Sequence, residues 1–343
     1  MAENPSKHLN TMSRITLIPG DGIGPEISES VKEIFKAAGA QVTWIEHQAG
    51  ETALAACGDV LPESVLDSIR DTKVALKGPC GTPVGKGFKS INVTLRQKLD
   101  LYANVRPGKS IKGVDTPFEN VDLVTFRENT EGLYSGLEVY DERLGIADAF
   151  NRITKVGSER LVRAAFEYAR KHGRKKVTLA HKANILKVSS GLFLKIGLEV
   201  AKEYPDIQVE DKIIDNMCMQ LVKYPQAYDV IATTNLFGDI LSDLIAGLVG
   251  GLGIVPGANM GSEYAVFEAV HGSAPDIAGQ NKANPTALLQ SGIMMLHHLG
   301  QVDVANRVEK ALFATLAIRE CCTGDLGGKN TTTGFTKDVI SRL

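Results

Sequence analysis

The chain has 343 residues, 43% of them apolar and 23% charged, with 38 basic against 40 acidic side chains and a formal net charge of −2. At roughly 150 residues per domain, that length predicts about two domains and a core large enough to need no disulfide or metal staple. The balanced charge excludes holding nucleic acid or an anionic membrane by bulk electrostatics, and 5 scattered cysteines with no C-x-x-C pair argue against a zinc site and for a reducing compartment.

Residues 1–14 lack the apolar core of a secretory signal and are a poor match to a transit peptide, so the expected location is cytoplasmic, or the mitochondrial matrix in a eukaryote. Arg14-Ile15-Thr16-Leu17-Ile18 reads as a short strand ending in Pro19-Gly20. The spacing of Ile27, Val31, Ile34 and Phe35 predicts an amphipathic helix opening at Pro25. Residues 41–45 read as a strand, 65–69 as a helix opened by Pro62-Glu63, and 73–76 as a strand. Residues 121–126 are strand-like, 159–171 form a strong helix, and 177–180 and 229–233 are further strands. Between them, 133–154 alternates β-favouring residues with no helical stripe, which predicts an excursion of two strands. The uncharged stretch 244–261, with six glycines and Pro256, predicts a buried helix end followed by loops rather than a membrane span. Strands alternating with helices predict an α/β fold with a largely parallel core sheet.

Two glycine-rich loops fail as nucleotide motifs. Gly20-Asp21-Gly22-Ile23-Gly24-Pro25 lies between a strand and a helix, but its spacing is G-x-G-x-G-P, without the third glycine of the Rossmann fingerprint. Residues 81–87 are one residue short of a P-loop and lack a hydroxyl residue after Lys86. Both read as tight turns.

Three other constellations carry chemistry. Asp239 and Asp243, at i and i+4, lie about 40° apart on one helix face, where like charges repel. Either a hard divalent cation such as Mg²⁺ or Mn²⁺ offsets that repulsion, or the face is simply solvated. Arg96, Arg106 and Arg127 follow or end extended, apolar runs, and their guanidinium forks suit a substrate with several carboxylates unless each forms a surface ion pair. Lys182, just after a strand, is placed to be desolvated and to serve as a general base, and Tyr134 offers a phenol donor.

Together these segments resemble the β-decarboxylating dehydrogenases, a family acting on isocitrate, 3-isopropylmalate, homoisocitrate and tartrate or malate. The resemblance runs from about Ile15 to the C-terminus. Its markers are residues 18–26 (IPGDGIGPE), 127–132 (RENTEG), 235–243 (NLFGDILSD) and 268–279 (EAVHGSAPDIAG). It implies oxidative decarboxylation of isocitrate to 2-oxoglutarate and CO₂ with NAD, a step of the tricarboxylic acid cycle; the alternatives are homoisocitrate oxidation and a regulatory, non-catalytic role. Ser90 and Asn92, with Arg96, Arg106 and Arg127, match the substrate-binding positions of isocitrate enzymes, where isopropylmalate enzymes carry apolar residues. Asp215, Asp239 and Asp243 match the ligands of Mg²⁺ or Mn²⁺, and Tyr134, Lys182 and Asp215 match the catalytic positions.

The resemblance also places the dinucleotide on Thr82, His271, Gly272, Ala274, Pro275, Asp276, Ile277 and Asn284. NADP-dependent relatives carry Lys-Tyr where this chain has Asp276-Ile277. A carboxylate accepts from a ribose 2′-hydroxyl but repels a 2′-phosphate, so NAD is expected. Further implications are a two-domain fold (1–101 with 250–343, and 102–249) with the site between the domains, and a homo-oligomer, at least a dimer. In that dimer Lys182 and Asp215 act from the second protomer, while 133–154 form an intersubunit clasp. No nucleic acid or membrane partner is expected.

Overall fold

The computed structural model describes residues 12–81 and 90–343. Ten strands form one sheet: β1 (Ser13–Ile18), β2 (Val42–Glu46), β3 (Val74–Lys77), β4 (Ala103–Lys109), β5 (Asp122–Glu128), β8 (Lys176–His181), β9 (Gln208–Ile213), β10 (Val230–Thr233), β11 (Pro256–Met260) and β12 (Ala265–Ala269). Their order is β2-β1-β3-β12-β11-β4-β5-β10-β8-β9. The pairs on either flank are parallel, and the antiparallel pairs are the central β12–β11, β11–β4 and β4–β5. The sheet is thus two parallel halves running in opposite directions, joined where β11 and β4 interleave.

The helices cover this sheet with apolar faces. In α1 (Gly24–Ala37), a proline in the first turn starts the helix where its missing N–H costs nothing, and Ile27, Val31, Ile34 and Phe35 are buried. In α5 (Lys155–Lys171), the Thr154 hydroxyl accepts from Gly157 N at 2.9 Å, and Arg170 and Lys171 sit in the last turn, where cations offset the helix dipole. α8 (Asn235–Val249) packs on β4 and β5, and α9 (Thr286–His298) on β11 and β12.

Two expectations are corrected. Residues 91–95 are not extended: they belong to α4 (Ile91–Lys98), with Ser90 at its N-cap and the i, i+4 pair Ile91 and Leu95 buried. The stretch after α8 is not only loop. It contains β11, whose Gly257, Ala258 and Asn259 are buried between β4 and β12. Such small residues carry no local strand signal, and the pairing partners on both sides supply it.

The expected excursion is a hairpin, β6 (Glu138–Asp141) and β7 (Ile146–Ala149), paired only with itself and exposed along almost its whole length. A lone two-stranded sheet is marginal in water. Of the glycine-rich loops, that at 20–25 is a tight turn as read: Gly20 and Gly22 have φ of 81° and 60°. A Cβ on either would meet the backbone oxygen of Pro79 or Ser273 at 2.1 and 2.0 Å. Residues 82–87 of the other loop lie outside the described residues. Among the described residues, no helix is long and apolar enough to cross a membrane.

Candidate active site

Register decides which side chains meet. Asn104 lies opposite Arg127, and Arg106 opposite Thr125, so both arginines project from the same face of the β4–β5 ladder. α8 covers that face. Arg127, only 1% exposed, donates from Nε and Nη2 to Asn235 Oδ1 at 3.0 and 2.8 Å and from Nη1 to Asp239. Arg106 Nη1 donates to Ser242 Oγ at 2.9 Å and lies 3.4 Å from Asp243 Oδ1.

Close approach of the helix requires Gly238: a Cβ there would sit 2.5 Å from both Cβ and Cγ of Arg127. Gly238→Ala is therefore expected to cut kcat/KM by at least 10-fold and to lower the melting temperature. The roughly 1 kcal/mol gained in helix propensity is outweighed by about 1–3 kcal/mol of overpacking against an arginine whose Cβ is fixed in the sheet. A variant with unchanged kcat/KM would show that the helix can ride over Arg127.

The electrostatics suit an anion. Burial, and then the neighbouring Arg127 and Arg96, push the Arg106 guanidinium down to about 10. Arg127 is lowered for the same reasons, burial first. Three cations thus press on one another, and a polycarboxylate relieves them. Burial alone would raise the Asp239 carboxyl, but Arg127, a hydrogen bond from Tyr134, and Arg106 and Arg96 hold it below its ordinary value. Burial and that same hydrogen bond raise the Tyr134 phenol, keeping it protonated as a donor. The Arg127 guanidinium also stacks 4.9 Å from the Tyr134 ring centre.

Asp239 and Asp243 therefore face the arginines, not bulk water alone, although the Asp243 side chain is 56% exposed. They supply two hard oxygen donors. Among the described residues no group of three or more His, Cys, Asp or Glu side chains is gathered for a metal, so any cation bound here needs ligands from outside this cluster.

Arg96 and Asn92, one turn apart on α4, line a cavity of about 150 Å³ with Arg106, Lys77, Glu268 and His271. Asn92 Oδ1 and the Nε atoms of Arg96 and Arg106 are buried with no partner among the described residues. Glu268 binds Lys77 Nζ at 2.8 Å, Arg96 Nη2 at 3.2 Å and Asn259 Nδ2 at 2.7 Å. Ser90 is exposed; its hydroxyl lies 3.5 Å from Val93 N.

Lys182 and Asp215 form a second, separate pair. Lys182 Nζ donates to Asp215, with side-chain exposures of 26% and 68%. Lys182 follows β8, which is separated from β5 by β10, so it stands about 10 Å along the sheet from Arg127. Within this chain the pair makes no ion pair or hydrogen bond with the arginine cluster. Lys182 is not the isolated, desolvated lysine expected after a strand: it is paired, and its bond holds the Asp215 carboxyl below the ordinary value.

A larger cavity of about 810 Å³ is lined by His271, Gly272, Ala274, Ile277 and Asn284, together with Ile23, Gly253, Asp325 and Lys329, a size that suits a cofactor. His271 Nδ1 lies 2.9 Å from Gly272 O, which can only accept, so Nε2 is the free acceptor; it is buried without a partner. Burial lowers this imidazole, keeping it neutral. Asn284 is fixed by Asp325 at 2.9 Å and by Thr286 N at 3.0 Å. Pro275 and Asp276 are exposed in the short turn Pro275–Ile277 and are not among the lining residues. Thr82 lies outside the described residues.

Asn235 and the Lys77–Glu268 pair are site residues that spacing does not single out. Asn235 opens the motif whose two aspartates carry the metal signal, and nothing in that signal points to the asparagine. Lys77 and Glu268 end short apolar strands, where a lone charge is itself the available signal.

A sequence profile described as isocitrate/isopropylmalate dehydrogenase matches residues 14–341. The chain is 53% identical over 329 residues to the Arabidopsis thaliana mitochondrial "isocitrate dehydrogenase [NAD] catalytic subunit 5", covering 96% of this chain and 88% of that one. It is 49% identical over 341 residues to a mitochondrial regulatory subunit of NAD isocitrate dehydrogenase from Dictyostelium discoideum, covering 99% and 94%. The crystal structure of isocitrate dehydrogenase from Methylococcus capsulatus superposes with a TM-score of 0.93 at 53% identity, over 96% of this chain and 99% of that one.

Proposed function

Because the chain belongs to the isocitrate/isopropylmalate dehydrogenase family, we infer that it oxidises and decarboxylates isocitrate to 2-oxoglutarate and CO₂, with NAD⁺ as hydride acceptor. One observation carries the substrate choice within that family: Asn92 Oδ1, in the cavity shared with Arg96 and Arg106, is buried with no partner among the described residues. An alkyl group packed there would leave that oxygen unpaired, at a cost of roughly 1–3 kcal/mol. A carboxylated arm brings water that donates to this oxygen, or accepts from the amide N–H₂ turned inward, and it neutralises the guanidinium groups.

Ser90, Asn92, Arg96, Arg106 and Arg127 then hold the carboxylates. Asp239 and Asp243, joined by Asp215, would hold Mg²⁺ or Mn²⁺, whose chemistry when bound is Lewis-acid polarisation of the substrate oxygen. Lys182, acting as the neutral amine, takes the hydroxyl proton, directly or through Asp215 or water, as hydride leaves the same carbon for NAD⁺. Loss of CO₂ leaves an enolate, and the Tyr134 O–H, kept protonated by its surroundings, delivers the proton to carbon. His271, Gly272, Ala274, Pro275, Asp276, Ile277 and Asn284, with Thr82, hold the dinucleotide, and the free His271 Nε2 fits an adenosine donor.

The division 1–101 with 250–343 against 102–249 is supported by the sheet order, in which β2, β1, β3, β12 and β11 lie on one side and β4, β5, β10, β8 and β9 on the other. A homo-oligomer with shared sites is supported by the distance of Lys182 and Asp215 from the arginines and by the apolar surface around them. Val188 and Tyr224 are 87% and 57% exposed, and Tyr140 on the hairpin and Phe150 just after it are 64% and 55% exposed, apolar side chains that a second chain would cover. Five free cysteines suit a reducing compartment, the cytoplasm or a mitochondrial matrix.

The test is steady-state turnover by the purified chain alone. Isocitrate with NAD⁺ and Mg²⁺ is expected to turn over, with kcat/KM for NADP⁺ lower by about 10²-fold or more from like-charge repulsion at Asp276. Equal turnover of homoisocitrate or 3-isopropylmalate would overturn the substrate assignment. Silence until a second kind of subunit is added would make this a regulatory chain.

A further inference from the structure

We propose that His181 and Asp211 form a positioning pair that sets both members of the Lys182–Asp215 couple; this rests on the reading of Lys182 as the base. His181 is the last residue of β8, with its side chain 5% exposed, and no step above uses it. Its Nδ1 lies 3.0 Å from the backbone nitrogen of Ala183 and its Nε2 lies 3.0 Å from Asp211 Oδ2. A backbone N–H can only donate, so Nδ1 is the acceptor and the ring proton sits on Nε2, directed at the Asp211 carboxylate. One neutral imidazole therefore ties the residue after Lys182 to the neighbouring strand.

Asp211 lies on β9, and β9 runs directly into α7 (Ile214–Lys223), whose second residue is Asp215. The strand that delivers Lys182 and the strand that delivers Asp215 are thus pinned to each other one residue before Lys182 and four before Asp215. The rest of the Lys182 backbone is held as well. Its N–H donates to Ser190 Oγ at 2.7 Å, and its carbonyl accepts from the N–H groups of Ile185 and Leu186 at 3.1 and 2.8 Å. Only the flexible side chain of Lys182 remains to be aimed, and its starting point is fixed by this cradle. A shift of about 1 Å in such a base costs around 10²-fold in rate.

The two ring nitrogens can be separated by substitution. His181→Asn places an amide oxygen where Nδ1 stood and keeps the bond to Ala183. His181→Gln reaches Asp211 but leaves Ala183 N–H without a partner. His181→Ala loses both. In the full-length oligomer, His181→Ala is expected to lower kcat 10–100-fold with KM for isocitrate and NAD⁺ within about twofold of the parent. His181→Asn and His181→Gln, each keeping one of the two bonds, should each recover part of that kcat and neither all of it. Asp211→Ala, at a half-exposed position that folding tolerates, should fall between parent and His181→Ala, and it serves if His181→Ala does not fold.

On a Lys182→Met background, His181→Ala should cause no further loss. The proposal is overturned if His181→Asn, which lacks the Asp211 bond, restores the parent kcat, if KM rises as much as kcat falls, or if His181→Ala costs the same factor with Lys182 already gone. Full activity of Lys182→Met alone would instead remove the base assignment, and the positioning role with it.

Discussion

Replacing Lys182 with methionine is expected to lower kcat by about 10³-fold, within the usual 10²–10⁴ range for a lost general base, while the KM for isocitrate stays within a few-fold. The arginines that hold the substrate are on other elements, β4, β5 and α4, and none of them touches Lys182. A second measurement asks where the lysine acts. In a two-fold dimer with sites built from both chains, a Lys182→Met chain and an Asp239→Asn chain each lack one half of every site. Mixed after dissociation, half of the dimers carry one chain of each kind, and each such dimer contains one intact site. About one quarter of the parent activity should return on mixing two nearly inactive proteins. If mixed dimers form, as native mass spectrometry would show, and activity stays at background, the site is complete within a single chain. The bridging role of the exposed pair would then be wrong.

Glu268→Gln is expected to be the most destabilising single substitution at this site, by about 3–5 kcal/mol, the usual cost of breaking a buried ion pair from one side. The Glu268 and Lys77 side chains are 7% and 2% exposed. Burial favours the neutral acid, yet Lys77 and Arg96 hold the Glu268 carboxyl far below its ordinary value. Burial likewise works against the Lys77 ammonium, and Glu268 beside it outweighs burial and raises it. The glutamine oxygen would still accept from Asn259 and Arg96, but the amide would turn its N–H groups toward the Lys77 ammonium. For a chain of 343 residues the loss corresponds to a fall of roughly 4–7 °C in melting temperature.

The pH dependence follows from the depressed carboxyl. Its contribution is fully present above the unfolded value of about 4.5 and is lost as pH falls below that toward the folded value. The parent should therefore lose stability more steeply than the variant below about pH 4.5, and the two curves should run parallel above it. A variant as stable as the parent at neutral pH would mean that Lys77 is not left unpaired. Arg96 shares the same carboxylate at 3.2 Å, so the KM for isocitrate should rise in the variant as well.

Much of this is legible in the order of residues, for reasons that differ from place to place. The alternation of strand and helix can be read because α1 and α5 carry full 3.6-residue stripes, α1 opens with proline in its first turn, and both close with basic residues in the last turn. Asp239 and Asp243 fall on one face because helical spacing alone fixes that geometry. Arg96 reads as following an extended run because Ile91, Val93 and Thr94 favour strands locally, while the Ser90 cap and the burial of Ile91 and Leu95 decide for helix. β11 is invisible because Gly257, Ala258 and Asn259 have no strand preference of their own; its neighbours make it a strand. Glu268, Asn235 and His181 act through contacts with residues 191, 108 and 30 positions away. No local window holds both partners of such a bond.

The interleaved centre of the sheet also bears on how the chain is made. β3 ends at Lys77 and is completed on one side by β12, which begins at Ala265. During synthesis at 5–20 residues per second, the growing polypeptide carries an open, apolar β3 edge for on the order of 10–40 s before its closing strand leaves the ribosome. Throughout that interval the first hundred residues hold an unsatisfied template for strand addition, so nascent chains should recruit chaperones until the C-terminal quarter emerges.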